Sequence, residues 1–124
     1  MREVGGNNLS KIKVMSLRVG EPEGEVFDME HSLEEMQKVV DGWLESLRLT
    51  ETCTMWINEE GKLRDDLQRN FLLLDRGHNP IDEVKGDVLF TGLDEEGNTV
   101  GLSDIDLHVI QKRFPIREGF IYYA

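Results

Sequence analysis

Cysteine is almost missing from this chain of 124 residues, because Cys53 is the only one. A single cysteine excludes an internal disulfide, and it favours a reducing compartment over secretion. Cys53 lies within the apolar run TCTMWI, and no basic residue stands close enough in sequence to activate it. We therefore predict a buried structural thiol and not a nucleophile.

Long apolar runs are missing as well. No segment approaches the ~20 apolar residues of a membrane-spanning helix. The N-terminal stretch MREVGGNNLS contains no apolar core of a signal peptide. These absences predict a cytoplasmic protein, with a flexible lead-in over residues 1–10 and a single domain over residues 11–124.

Basic residues are few, since 14 bases stand against 25 acids and leave a formal charge of −11. Direct binding to nucleic acid or to an anionic membrane needs a basic surface, so neither is expected as a partner. The acids are also segregated: residues 19–37 contain seven and residues 86–111 contain six, without a lysine or arginine in either stretch. A basic protein partner is therefore favoured electrostatically, with plain solubility as the alternative explanation of the charge.

The residue groupings of catalysis, metal binding and nucleotide binding do not occur either. His31, His78 and His108 lack the spacing of metal ligands, and there is no Walker motif or dinucleotide-binding glycine motif. No Ser/His/Asp or Cys/His arrangement follows from the spacing. We predict a protein that is not an enzyme and that holds neither a metal nor a cofactor.

Two capped helices are predicted. Ser32 followed by Glu35 fits a capping box, and apolar residues then recur at helical spacing over residues 33–47. Ser103 fits the N-cap of a second helix. The first helix is expected to place three residues in the core: Val40, Trp43 and Leu44.

Alternating and β-branched runs predict the strands. They cover residues 11–20, 25–29, 51–57 and 86–92, with FIYYA as a last strand or a packed tail. Residues 64–80 indicate only a short helix or an irregular segment. The expected fold class is α+β, with a four- to five-stranded antiparallel or mixed sheet and two main helices packed on it.

The stretch INEEGKLRDDL concentrates charge after the third predicted strand. Asn58-Glu59-Glu60-Gly61 fits a type I turn that ends in left-handed backbone at Gly61. Carboxylates at the tip of a turn stay in water and lack the burial that a catalytic acid needs, so this stretch is not expected to be an active site. Beyond the turn lies the only cluster of bases suited to a phosphate, formed by Arg64, Arg69 and Arg76.

Three stretches, SLEEMQKVVDGWLE, INEEGKL and DVLFTGLDEEGNTVGLSD, resemble a family of small uncharacterised proteins carried by bacterial viruses and mobile elements. The likeness runs from about residue 11 to about residue 114, and it departs at LQRNF, where Gln68 and Phe71 stand in place of a frequent proline and arginine. The resemblance implies a distant relation to antirestriction proteins of the ArdA type, which are acidic mimics of DNA. The positions that match the pattern are Gly42, Asn58, Gly61, Asn70, Gly86 and Gly92.

Charge and resemblance together predict a counter-defence protein that binds and inhibits a host DNA-acting or defence protein, in the host cytoplasm if a virus encodes it. Duplex DNA carries one charge per ~1.7 Å, so a charge of −11 matches only ~5–6 base pairs, and a homodimer would extend such a mimic. Two alternatives stay open: a sponge that binds a small signalling nucleotide, and a generic interaction module of a mobile element. The predicted partner-binding residues are Glu34, Asp41, Glu45, Asp94, Glu95 and Glu96.

Overall fold

The computed structural model describes residues 11–75, 77, 79–114 and, as backbone, 121–123. Within these ranges the chain forms nine strands and two helices. The strands are β1 (Lys11–Leu17), β2 (Glu25–Glu30), β3 (Leu44–Thr50), β4 (Cys53–Asn58), β5 (Arg69–Leu74), β6 (Pro80–Lys85), β7 (Val88–Leu93), β8 (Thr99–Val100) and β9 (Ile121–Tyr123). The helices are α1 (Leu33–Val40) and α2 (Asp104–Arg113).

A six-stranded antiparallel sheet with β7 at its centre organises the domain. The strand order is β2-β1-β7-β4-β3, and β8 pairs with the last residues of β7. Phe90 of β7 pairs with Met15 on one side and with Met55 on the other, which places the apolar VLFTG segment between two partners. A Cβ atom at Gly92 would lie 2.3 Å from the Gly101 carbonyl oxygen, so the return of the chain past β7 requires glycine there.

The smaller sheet and α2 cover one face of the large sheet. This smaller sheet has the order β6-β5-β9, with β5 and β6 antiparallel and β5 and β9 parallel. The rings of Phe71 and Phe90 both contact the ring of Phe114, with centroids 5.4 and 5.3 Å apart. Aromatic pairs at this distance and tilt are favourable beyond their buried area, so Phe114, just past α2, links the two sheets.

α1 covers the opposite face of the large sheet. Met36 and Val40 of the helix pack with Val14, Met29 and Leu89 in a second apolar cluster. Ser32 caps the helix, since its side chain accepts a hydrogen bond from the Glu35 backbone N–H. The central sheet is therefore buried on both faces, which explains the nearly continuous apolar sequence of β7.

The predicted fold class is wrong. The domain is mostly β, with nine described strands in two sheets and only two short helices, of 8 and 10 residues. Several expectations for single elements are confirmed: strands overlap the predicted runs 11–20, 25–29, 51–57 and 86–92 to within three residues at each end, and the last described residues form β9. Ser103 does cap α2, in a full capping box with Asp106. The lead-in predicted for residues 1–10 lies outside the described residues.

The first helix is much shorter than predicted. Because its predicted range extends to residue 47, β3 was missing from the expected sheet. α1 ends at Val40 because Asp41 adopts left-handed backbone with φ 60°, and the chain then enters β3. Trp43, predicted as core, is 61% exposed, whereas Val40 is fully buried as expected and Leu44 is half-buried. Residues 44–50 pair along β4, and those backbone hydrogen bonds replace the ones a longer helix would have made.

The segment from residue 64 to residue 80 contains a strand instead of the short helix or irregular chain that was expected. β5 and β6 form a hairpin around Asp75, whose carboxylate accepts hydrogen bonds from the backbone N–H groups of Gly77 and Asn79. The prediction of left-handed backbone at Gly61 is also wrong. Other glycines adopt it, among them Gly97 in the later DEEG turn, with φ 87°.

Candidate functional site

Three segments meet at one end of the large sheet and bring together acids that lie far apart in sequence. The Leu93 N–H at the end of β7 donates to the Thr52 carbonyl in the β3–β4 turn, at 2.9 Å. The Thr52 hydroxyl in turn donates to Asp106 in the first turn of α2, at 2.7 Å. The β3–β4 turn, the β7–β8 turn and the start of α2 are therefore neighbours. We call the acids on them the acidic end: Glu51, Asp94, Glu95, Glu96 and Asp104.

The carboxylates of the acidic end are charged and open to solvent. All of them are exposed except Asp94, which is half-buried. The Asn98 backbone N–H donates to Asp94 at 2.7 Å and holds the pKa of that carboxyl below its usual value, with further hydrogen bonds from the Glu96 and Gly97 backbone. No ion pair between described residues includes any acid of the acidic end. This cluster therefore presents carboxylates that form no ion pair within the described part of the chain, while Arg113 lies nearby and donates to the Leu49 carbonyl at 3.2 Å.

Elsewhere on the domain, six acids form ion pairs with bases. The described ion pairs are Arg18–Glu25, Lys38–Glu35, Lys62–Asp82, Arg64–Asp41, Arg64–Asp66 and Arg69–Glu83. Exposed pairs of this kind contribute little stability, but each one cancels charge at its position. These six acids are thus neutralised, whereas other exposed acids away from the acidic end, such as Glu59 and Glu60, form no ion pair among the described residues.

Three of the predicted partner-binding acids do not share a face. Glu34 lies in the first turn of α1, and Asp41 caps its C-terminal end. Glu45 pairs with Ile57 and points to the other face of the sheet, where it lines a small crevice with Lys62. The expectation of one acidic helix face fails because the helix ends before Glu45. The remaining three, at positions 94–96, do lie together, in the acidic end.

The acid-rich stretch 19–37 is also less negative in the structure than in the sequence. β2 pairs with β1, and this register places Lys11 opposite Glu30 and Lys13 opposite Asp28. Arg18 lies 3.4 Å from Glu25 at the other end of the same hairpin. The stretch 19–37 contains no base along the chain, but in the sheet two of its acids lie next to bases of β1.

The predicted arginine cluster is not an open phosphate site. Arg64 donates to both Asp41 and Asp66, and its hydrogen bonds to these two carboxylates, the one to Asp66 first, raise its pKa. Arg69 donates to Glu83 at 2.6 Å. Arg76 lies outside the described residues. Both described arginines already hold carboxylates, which an incoming phosphate would have to displace.

The stretch INEEGKLRDDL contains one buried polar residue, and it is structural. The Asn58 side-chain amide donates to the carbonyls of Val40 and Asp41 at 3.0 Å each, and its oxygen accepts from the Glu60 N–H at 2.8 Å. Asn58 thereby joins the end of α1 to the end of β4. Glu59 is exposed, as are Glu60 and most of their neighbours, in line with the predicted solvated turn.

Two cavities flank the β1–β2 hairpin, and sequence patterns indicated neither. One has a volume of about 470 Å³ and an apolar floor that includes Met15, Phe90 and Phe114. The other, about 330 Å³, lies beside α1 and is lined by charged and polar side chains as well as apolar ones. One feature of the sequence could have indicated the second cavity. Ser16 is a polar residue in an otherwise apolar part of β1, where Val14, Met15 and Leu17 are also buried.

Catalytic and metal groupings are not found in the part of the chain that the structure describes. No three His, Cys, Asp or Glu side chains there are grouped to hold a metal ion. Burial raises the pKa of the Cys53 thiol to about 12, which leaves it protonated and unreactive. None of the helices within the described ranges has the length and apolar character needed to cross a membrane.

Fold and surface define a small, mostly β domain with an acidic surface. The chain belongs to the family described as a domain of unknown function, DUF3846, whose model matches residues 12–115. Neither a curated protein nor a solved structure matches the chain.

The pattern positions singled out in the sequence hold the fold together. A Cβ at Gly42 would lie 2.6 Å from the Asn58 amide nitrogen, so these two positions are coupled. Asn70 is fully buried and donates to the Leu17 and Gly86 carbonyls at 2.8 and 2.9 Å, joining the small sheet to the large one. These residues explain why the pattern specifies this architecture, and they do not indicate a chemistry.

Proposed function

We propose that this protein is a non-catalytic inhibitor that binds a basic surface of a host DNA-acting or defence protein through its acidic end. The observation that carries the proposal is the gathering of exposed carboxylates from three segments into one cluster, none of which takes part in an ion pair between described residues. The resemblance to an uncharacterised family of bacterial viruses and mobile elements, which implies a distant relation to antirestriction proteins, supports the same function.

The amount of charge limits the kind of contact. Duplex DNA carries one charge per ~1.7 Å, so the five carboxylates of the acidic end correspond to ~8.5 Å of duplex, or ~2–3 base pairs. One copy therefore suits a single basic patch or groove, and a long DNA-binding channel would need two copies. Charge of this kind accelerates and orients association more than it adds affinity, so apolar neighbours at the contact are expected to contribute as well.

The proposal is tested by relief of restriction in cells. A host with an active restriction system expresses the protein, and transformation by unmodified plasmid is compared with transformation by modified plasmid. We expect the wild type to raise the ratio at least tenfold, and the triple variant Glu51→Gln, Glu95→Gln, Glu96→Gln to lose this effect.

The matched control removes the same number of charges elsewhere. Glu59, Glu60 and Asp65 are exposed acids on the turn after β4, and Glu59→Gln, Glu60→Gln, Asp65→Asn should keep full activity. Binding to the captured host protein should weaken between 0.05 and 0.5 M salt (roughly one decade), because exposed charges are screened over ~10 Å or less. Equal activity of the two triple variants, or no relief by the wild type across a panel of restriction systems, would reject the proposal.

A further inference from the structure

The cavity beside α1 is a cleft between that helix and the β1–β2 hairpin. Its apolar wall consists of Phe27, Met29 and Val39, and its volume is about 330 Å³. Small-molecule sites span ~300–1,000 Å³, so this cleft suits a small ligand. Its polar residues are Ser16, Arg18, Glu35, Lys38 and Asp87.

Ser16 at this cleft has an unsatisfied hydroxyl. The residue is 3% exposed, and its Oγ atom has no hydrogen-bond partner among the protein groups. It lies on the α1-facing side of β1, the side on which Val14 packs two residues earlier. Buried hydroxyls nearly always have a partner, and leaving one without costs stability. Because the Oγ atom is closed off from solvent, a group that binds in the cleft would supply this partner after rotation of the Ser16 side chain toward the opening.

The charges that line the cleft are balanced. Lys38 donates to Glu35 at 2.8 Å, Arg18 lies 3.4 Å from Glu25, and Asp87 accepts from the Val19 N–H at 2.8 Å. A simple anion would face two carboxylates in the cleft, and a simple cation would face two bases. A molecule that carries one positive and one negative group can pair with both the carboxylates and the bases of the cleft.

We propose that this cleft binds a small zwitterion with an apolar side chain, of the α-amino acid class. Its carboxylate would lie toward Lys38, Arg18 and the Ser16 hydroxyl, its ammonium toward Asp87 or Glu35, and its side chain against the apolar wall. This site is separate from the acidic end, and it does not depend on the inhibitor function.

The experiment is isothermal titration calorimetry of the full chain with L-leucine, L-methionine and L-phenylalanine. N-acetyl-L-leucine lacks the ammonium, L-leucinamide lacks the carboxylate, and inorganic phosphate tests a plain anion site. We expect at least one of the three amino acids to bind and to raise the unfolding temperature, and both blocked derivatives to bind at least tenfold more weakly.

Two variants assign that binding to the cleft, each with a matched control. Ser16→Ala should weaken binding at least tenfold while Ser46→Ala, at an exposed serine of β3, should not. Because the Ser16 hydroxyl makes no hydrogen bond and its burial costs stability, Ser16→Ala without ligand should be at least as stable as the wild type. Lys38→Gln should weaken binding similarly, and Lys112→Gln, at the exposed end of α2, should leave it unchanged.

The proposal fails if none of the three amino acids binds, or if binding survives both Ser16→Ala and Lys38→Gln. Phosphate binding that these variants abolish would also overturn it, because the cleft would then be an anion site. If Ser16→Ala proves unstable, Lys38→Gln alone decides the outcome, since Lys38 is a solvent-exposed residue.

Discussion

Replacing Asn58 tests the central polar contact of the domain. The Asn58→Ala variant removes two hydrogen bonds to the carbonyls of Val40 and Asp41 and one from the Glu60 N–H. Asn58 is only 3% exposed, so water does not replace these bonds without a local rearrangement. The end of α1 would then lose its attachment to β4.

The expected magnitude follows from the number of bonds and from their burial. A net contribution of ~0.5–1.5 kcal/mol per hydrogen bond, with an added cost for buried partners left unsatisfied, predicts a loss of ~2–4 kcal/mol in the free energy of unfolding. Asn58→Asp should lose at least as much at neutral pH, because a carboxylate would face two carbonyl oxygens in place of an amide that donates to them.

Urea unfolding followed by circular dichroism measures this loss. With a slope of ~1–3 kcal/mol per molar urea, the midpoint should fall by ~1–3 M for Asn58→Ala. The control is Asn98→Ala, which removes an exposed 3.2 Å contact with Asp94 and should cost ~0.5 kcal/mol or less. A loss below ~0.5 kcal/mol in Asn58→Ala, or wild-type stability in Asn58→Asp, would refute the role assigned to this amide.

Three further outcomes are expected from other parts of the fold. Gly92→Ala should destabilise by ~2 kcal/mol or more in urea unfolding, because its Cβ would collide with the Gly101 carbonyl, and an unchanged midpoint would contradict that contact. Cys53 should not react with iodoacetamide at pH 8 in the native protein but should react in urea, since burial raises its pKa to about 12; native labelling at the unfolded rate would be inconsistent with this. Trp43→Ala should cost less than ~1 kcal/mol, and the Trp43 emission of a Trp56→Phe variant should have the maximum of an exposed indole; a blue-shifted maximum would show that Trp43 is buried.

Several residues that the sequence pattern singled out have a structural role in the fold. Asn58 and Asn70 belong to the family pattern, and each one bonds to carbonyls that are distant in sequence. The predicted functional residues Asp41 and Arg64 form an ion pair near Asn58, so they too have a structural role. Positions 94–96 are the part of the predicted acidic surface that the fold does bring into a cluster.

Much of the local structure was predictable from the sequence. Ser32 and Ser103 mark helix starts because a side-chain oxygen next to a helix satisfies free backbone N–H groups within three residues. The strand runs were predictable from their alternation. The turn from Asp94 to Gly97 was predictable from its composition of acids and glycine. These signals involve residues that are close along the chain, so no tertiary contact is needed to interpret them.

Tertiary structure decided the rest, and the segment LESLRLT shows why. Leu44 and Leu47 have helical spacing, while Leu47 and Leu49 have strand spacing, so periodicity alone permits either structure. Pairing with β4 and the left-handed backbone at Asp41 select the strand. The length of α1, the exposure of Trp43 and the number of strands all follow from that choice.

By itself, the sequence determined an acidic chain with a single thiol, and capped helices among alternating runs. Where the negative charge lies was decided only by the tertiary structure, because strand register sets Lys11 and Lys13 against the acids of β2, and a contact between distant turns gathers the acidic end. Register and packing join residues that are dozens of positions apart, and the unpartnered hydroxyl of Ser16 likewise arises only where a helix covers its strand.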